Sequence, residues 1–331
     1  MHNMHARTNG SGMRGIVAVG LLTIATLPAF AQLYPSRPLR LIVPWPPSGA
    51  VDILARPIGQ KLSENIAQSV VIDNRAGANG IIGSEVVAKA PADGYTFAID
   101  NVTGHAINAT LYGKMPFNSQ RDFAHVSLLA WVANGISCLP SLPVKNVREL
   151  IALGKARPGQ LSYASFGVGS SAHLAGELFK TMAGVDMLHV PYKGGLPAIT
   201  DLLAGQVSLY FPVVPSVVQL TRAGRLRLLA ITGAKRATAL PETPTVNESG
   251  LPGFEATNWF GALAPAATPP DVVNKLNTEL IKVLQTPDVR DRLLSLAYDL
   301  QSSTPQDFSA LLKTETEKWA KIVKASGAKA D

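Results

Sequence analysis

Leu39-Arg40-Leu41-Ile42-Val43-Pro44-Trp45-Pro46-Pro47-Ser48-Gly49-Ala50-Val51-Asp52 decides the fold, because an apolar run stops in a Pro/Gly turn and reopens as an amphipathic helix. It reads as strand, stiff loop and helix start. Prolines cannot donate to a sheet ladder and Gly49 accepts backbone shapes that other residues resist. Positions 44–49 are therefore expected to form a fixed cradle. The amides at and after Ser48 are expected to point outward unpaired, backed by a helix dipole worth about half a positive charge. Such a terminus is an anion site, and the loop is expected to hold a small carboxylate.

Outward from this unit, the pattern of short apolar run, turn and helix repeats, which predicts α/β layering around a largely parallel sheet. A strand over 69–73 leads into the glycine-rich loop 74–80 and a helix over 81–89. A turn at 91–94 leads into a strand over 95–99 that ends in the polar run Asp100-Asn101-Val102-Thr103-Gly104-His105. The apolar stretch 124–139 opens a second domain, followed by a helix whose start, Asn146 with Glu149, matches a capping box. There the opening unit recurs: strand 161–166, the turn Gly167-Val168-Gly169-Ser170-Ser171, helix 172–183. A strand over 187–190, the turn Pro191-Tyr192-Lys193-Gly194-Gly195, a helix over 196–203 and strands over 207–211 and 226–232 complete that domain. The loop-rich stretch 234–252 is the expected return crossing. Beyond it lie a strand over 259–264, a helix begun by Pro269-Pro270-Asp271, and a last helix capped by Thr304 with Asp307, running to about 326 and expected to pack on the first domain.

The first residues read as an export signal: Arg7 and Arg14, the apolar run 15–25, and Ala29-Phe30-Ala31 as an A-x-A cleavage site. Cleavage is expected after Ala31, leaving a soluble exported chain. The 47% hydrophobic content suffices for a real core. A single cysteine, Cys138, excludes an internal disulfide framework and reads as a small core residue. Net charge is +7, spread without a basic run, and aromatic content is 6%, which argues against nucleic acid.

Enzyme readings fit poorly. There is no G-x-S-x-G elbow, because Gly169 stands where the serine of a nucleophile turn should be, and no acid is placed to orient His173 beside Ser170. His105, His125, His173 and His189 show no metal-ligand spacing. Gly167-x-Gly169-x-x-Ala172 follows a strand and opens a helix, as a dinucleotide fingerprint would. The next strand, however, ends in His189-Val190-Pro191-Tyr192 rather than in an acid for the ribose. No P-loop is present. What remains is a binding protein of two α/β domains, each offering helix N-termini to a shared cleft. Backbone N–H groups, hydroxyls and dipoles suit a carboxylate there without a buried counter-charge.

The series Val43-Pro44-Trp45-Pro46-Pro47-Ser48-Gly49-x-x-Asp52, Asn74-Arg75-x-Gly77-Ala78-x-Gly80-x-x-Gly83, Pro91-x-Asp93-Gly94-Tyr95, His173-Leu174-Ala175-Gly176-Glu177, Val190-Pro191-Tyr192-Lys193-Gly194-Gly195 and Leu240-Pro241-x-x-Pro244-Thr245 closely resembles the Bug/TctC family, the substrate-binding proteins of tripartite tricarboxylate transporters. The resemblance covers nearly all of the chain after the signal. It implies a type II periplasmic-binding-protein architecture: lobe 1 from 32–132 plus 253–331, lobe 2 from 133–252, and a ligand cleft between them. It further implies a monomer in the periplasm that binds a small carboxylate, needs no cofactor or metal, and hands its ligand to membrane subunits of the tripartite type. An orphan sensor feeding a signalling partner is the alternative. By the resemblance, Trp45, Ser48, Gly49, Ala50, Asp52, Asn79, Gly80 and Thr103 are the first-lobe candidates for the site. Those of the second lobe are Gly169, Ser170, Ser171, His173, Lys193 and Gly194. Asp52 has an equally good reading as a first-turn acid serving its own helix, and Lys193 as a rim charge. Relatives commonly carry Phe in place of Trp45, Gly in place of Ser48, and Asp where this chain has Pro212. A ligand without an amino group, a plain dicarboxylate or an aromatic carboxylate against Trp45, is the resulting expectation.

Overall fold

The computed structural model describes residues 34–329, so the signal segment and its cleavage site lie outside the described residues. The chain opens with β1 (Leu39–Val43), α1 (Ala50–Ile66), β2 (Val70–Asn74), α2 (Ile81–Ala88) and β3 (Thr96–Asn101). A π-helical turn, Thr103–Ile107, then runs into α3 (Asn108–Leu111), and the long strand β4 (Phe123–Ala133) follows. Then come β5 (Gly135–Cys138), α4 (Val147–Ala156), β6 (Leu161–Ser165), α5 (Ser171–Ala183), β7 (Met187–Pro191), α6 (Gly195–Leu203), β8 (Leu209–Tyr210), α7 (Val218–Arg222) and β9 (Arg227–Ile231). The last elements are β10 (Thr257–Pro265), α8 (Pro270–Gln285), α9 (Pro287–Ser295), β11 (Asp299–Leu300) and α10 (Pro305–Ser326).

Two sheets result, a six-stranded one ordered β11-β4-β10-β3-β1-β2 and a five-stranded one ordered β7-β6-β8-β5-β9. Both are mixed, which corrects the expectation of a largely parallel sheet. β1 is parallel to β2 and β3, and β6 to β7 and β8, as the crossover helices demand. The strand that follows each crossing runs the other way: β5 is antiparallel to β8 and β9, and β10 to β3 and β4. The expected strand over 207–211 shortens to Leu209–Tyr210, where Pro212 removes the donor that would extend the ladder.

Helix α1 buries Val51, Leu54, Ala55, Ile58 and Leu62, a stripe at i, i+3, i+4, i+7 and i+11 that presses on the first sheet. The capping readings appear as hydrogen bonds: Asn146 accepts from the Glu149 amide at 2.9 Å, and Thr304 from the Asp307 amide at 3.1 Å. Cys138 is a buried free thiol whose pKa burial pushes up to about 11, the state of a packing residue. Between β4 and β5 the chain passes at Asn134 from one sheet to the other, and it returns between β9 and β10. Thr232 ties the two crossings together, its Oγ1 donating to Asn134 O at 3.1 Å and Ala256 O at 2.8 Å. No helix among the described residues is long and apolar enough to cross a membrane.

Candidate functional site

The loop after β1 is held from within. Ser48 sits at φ +64°, a left-handed conformation that a non-glycine residue adopts only under restraint, and the restraint is Asp52. The Asp52 carboxylate, 2% exposed, accepts from the Ser48 amide at 2.9 Å, from Arg56 Nε at 2.7 Å and Nη2 at 2.9 Å, and from Asn74 Nδ2 at 3.0 Å. Burial raises its pKa, but the Arg56 hydrogen bonds, then Asn74 and the Ser48 amide, overcome this and hold it below the usual carboxylate range. Two sequence expectations change. The Ser48 amide is engaged rather than free, and so is that of Gly49, which donates to Pro46 O at 3.3 Å. The open end of α1 therefore starts at the Ala50 and Val51 amides. Asp52 is the pin of the loop.

Across the cleft, the Gly167–Ser171 turn is also engaged. Ser170 caps α5, its Oγ accepting from the His173 amide at 3.3 Å and donating to Gly167 O at 2.7 Å. The Gly169 amide donates to His173 Nδ1 at 2.9 Å. Ser171 meets the first lobe: its amide donates to Thr103 Oγ1 at 3.3 Å, and its Oγ receives Asn258 Nδ2 at 3.2 Å. Asn79, itself at φ +51°, donates to Val168 O at 2.6 Å. These hydrogen bonds fasten one lobe to the other.

Two neighbouring cavities occupy the cleft. The first, of about 600 Å³, lies between the N-termini of α1 and α6 and is lined by Trp45, Ser48, Gly49, Ala50, Val51, Asn101, Phe166, Lys193, Gly194, Gly195 and Tyr210 among others. The second, of about 610 Å³, is lined by the 76–80 turn, Tyr112, Gly167, Val168 and Tyr192. Trp45, Pro46, Phe166, Lys193 and Gly194 line both. Among the described residues, Lys193 is the one charged side chain on either wall, and no carboxylate faces either space.

Of the fourteen candidates, the structure brings Trp45, Ser48, Gly49, Ala50, Lys193 and Gly194 around the first cavity, and Asn79 and Gly80 around the second. Asp52, Thr103, Gly169, Ser170, Ser171 and His173 line neither, because their polar groups are spent on the loop, the helix cap and the junction between lobes. Sequence reasoning missed Asn101, Tyr210 and the first turn of α6. The paired Gly194-Gly195 before an apolar helix was the available signal for that turn.

Behind the Gly167 turn, His173 and His189 stack with ring centroids 3.9 Å apart and planes within 9°, and His189 Nε2 meets Ser165 Oγ at 2.7 Å. Burial lowers both pKa values; for His189, with His173 and Lys180 adding to it, the value falls to about 3. A histidine whose folded pKa is depressed stabilises the fold fully above its ordinary value of 6.5, and that stability is lost as pH falls toward the folded value. The melting temperature is accordingly expected to fall as pH drops from 6.5 toward 3, and to fall less steeply in His189→Gln. Equal slopes in thermal melts across that range would show that the stack does not carry the effect. Among the described residues, no three His, Cys, Asp or Glu side chains gather as metal ligands.

Known proteins share this architecture and sequence. A family model described as the tripartite tricarboxylate transporter family receptor matches residues 54–328. Protein BugT of Bordetella pertussis is 36% identical over 322 residues, covering 96% of this chain and 99% of its own. Among solved structures, R. palustris Rpa4515 with adipate superposes with TM-score 0.86 at 40% identity, covering 89% of this chain and 99% of that one. MatC from Rhodopseudomonas palustris with bound malate does so with TM-score 0.81 at 29% identity, covering 88% and 100%. The two-lobed architecture, the long shared sequence and the matched family model have one meaning: the chain belongs to the tripartite tricarboxylate transporter receptor family, the Bug/TctC solute-binding proteins.

Proposed function

We propose that the protein captures a small carboxylate lacking an amino group in the cleft at α1 and α6, as a periplasmic monomer, and presents it to membrane subunits of a tripartite transporter. The observation that carries this reading is the make-up of the first cavity: two helix N-termini and Lys193 on an otherwise largely apolar wall, with no acid. Each helix end favours an anion by about 0.3–1 kcal/mol. An ammonium group, by contrast, would be desolvated there without a counter-charge, at a cost of several kcal/mol. Similar proteins solved with adipate and with malate support the carboxylate class. The apolar area from Trp45, Phe166, Ile199 and Tyr210 suits an aliphatic or aromatic body behind the acid group.

A thermal-shift panel of dicarboxylates, aromatic carboxylates, amino acids, amines and sugars tests the reading. Carboxylates without an amino group are expected to raise the melting temperature, and amines and sugars to leave it unchanged. A rise confined to amino acids or sugars would contradict the proposal.

A further inference from the structure

The wall of the cleft is anchored from behind by an acid that no part of the binding reading uses. Asp100, at the end of β3, is fully buried. Its Oδ1 accepts from Trp45 Nε1 at 2.6 Å and from the Asn101 amide at 2.8 Å. Its Oδ2 accepts from Ser84 Oγ at 2.7 Å, with His105 Nε2 3.1 Å away. A Cβ on Gly104 would fall 2.3 Å from that oxygen, so the turn after β3 needs a glycine for the carboxylate to fold back as it does. A buried carboxylate is tolerated only when donors replace its water, and hydrogen bonds to an ionised acceptor are short and directional. The same bond that satisfies Asp100 therefore restrains the indole.

That indole stands where the two cavities meet. Trp45 is 7% exposed, packs edge-on against Phe166 of the other lobe at 6.0 Å, and lines both spaces. Next to it, Pro46 approaches Gly194 so closely that a Cβ there would lie 3.1 Å from the proline ring. We infer that Asp100 is a positioning residue for ligand selection: it holds the Trp45 indole as the partition between the two cavities and so confines the ligand to an acid short enough for the cavity at α1 and α6. The inference rests on the carboxylate reading above.

The test has two arms. In ¹H–¹⁵N spectra of the four tryptophans, the Trp45 indole signal, identified by its loss in Trp45→Phe, should lie far downfield and exchange slowly with water. Asp100→Asn should move it and speed its exchange while leaving the other three in place. An unmoved signal would overturn the anchoring. In the second arm, calorimetry with α,ω-dicarboxylates of increasing length should show wild type favouring the short acids. Trp45→Phe and Asp100→Asn should each raise the long-to-short affinity ratio by about tenfold, the size expected when a pocket wall recedes. In the Trp45→Phe background, Asp100→Asn should add nothing, because no indole N–H remains to be held. Equal shifts in both backgrounds, or no shift in Trp45→Phe, would overturn the partition. Trp45→Phe keeps Asp100 and its other donors, so it decides the second arm even if Asp100→Asn fails to fold. If wild type binds no acid in the series, the selectivity half falls, the carboxylate reading is judged by the aromatic acids of the thermal-shift panel, and the indole signal still decides the anchoring.

Discussion

Gly169→Ala is expected to weaken ligand binding by about thirtyfold while the unliganded protein stays folded, because a methyl group there holds the lobes apart. Gly169 lies at φ +73°, and its missing Cβ would fall 1.9 Å from Cδ2 of Leu111 and 3.0 Å from its Cγ. Leu111 ends α3 in the first lobe and is itself buried, so it has little room to withdraw. Left-handed backbone on a non-glycine residue costs about 1–2 kcal/mol and overpacking about 1–3 kcal/mol. Only the overpacking depends on closure, so roughly 2 kcal/mol, about thirtyfold, falls on affinity, while the backbone cost burdens the open and closed forms alike. Opening the cleft relieves the packing share of the strain and breaks the hydrogen bonds from Asn79 to Val168 O and from the Ser171 amide to Thr103 Oγ1. Ligand is expected to close the cleft about the two crossings, so small-angle scattering should show a radius that ligand reduces in wild type and no longer reduces in the variant, and calorimetry should show the loss of affinity. Leu111→Ala in the same chain should restore part of both. Wild-type affinity in Gly169→Ala would mean that closure does not pass through this point of approach.

Asp52→Ala should be the most damaging single change to the first-lobe loop, lowering stability by about 3 kcal/mol through the loss of hydrogen bonds to a charged acceptor. For a chain of this length, at about 2.1 cal/mol/K of unfolding entropy per residue, that corresponds to a melting point lower by about 5 °C. The loss is expected to fade in acid. The folded pKa of Asp52 is lowered, so its contribution is fully present above the ordinary value of 3.8 and disappears as pH falls through the folded value. Wild type and variant should therefore converge in strongly acidic solution. Arg56→Ala should cost less, since Arg56 is 54% exposed and its share of the pair is screened by water. Indistinguishable melts of wild type and Asp52→Ala at neutral pH would remove Asp52 as the pin of the loop.

What could be read ahead of the structure was local. The Pro/Gly turn after β1, the Asn146 and Thr304 caps and the repeated unit at Gly167 all declare themselves within a few residues, because capping and turn chemistry act over that distance. The site is different in kind. Trp45 and Asp100 are 55 positions apart, and Gly169 meets Leu111 across the two lobes. No spacing rule reports such pairs. The donors at Ser48 and Ser171 look free in the sequence and are engaged in the structure, one by an acid four residues on, the other by a hydroxyl of the opposite lobe. The mixed character of both sheets has a similar origin. Strand direction follows from where the chain crosses between lobes, and β4 reads as one apolar run with β5 although the two belong to different sheets.

The central claim, that the cleft takes a carboxylate and refuses the same skeleton with an amino group, is met most directly by calorimetric titration of matched pairs. Succinate against aspartate, glutarate against glutamate, and 3-phenylpropionate against phenylalanine differ chiefly by the ammonium that the first cavity cannot neutralise. In at least one pair the plain acid is expected to bind at least about tenfold more tightly than its amino partner, the smallest ratio that an unpaired buried charge should produce. Tight binding of aspartate, glutamate or phenylalanine without response to any plain acid would contradict the account.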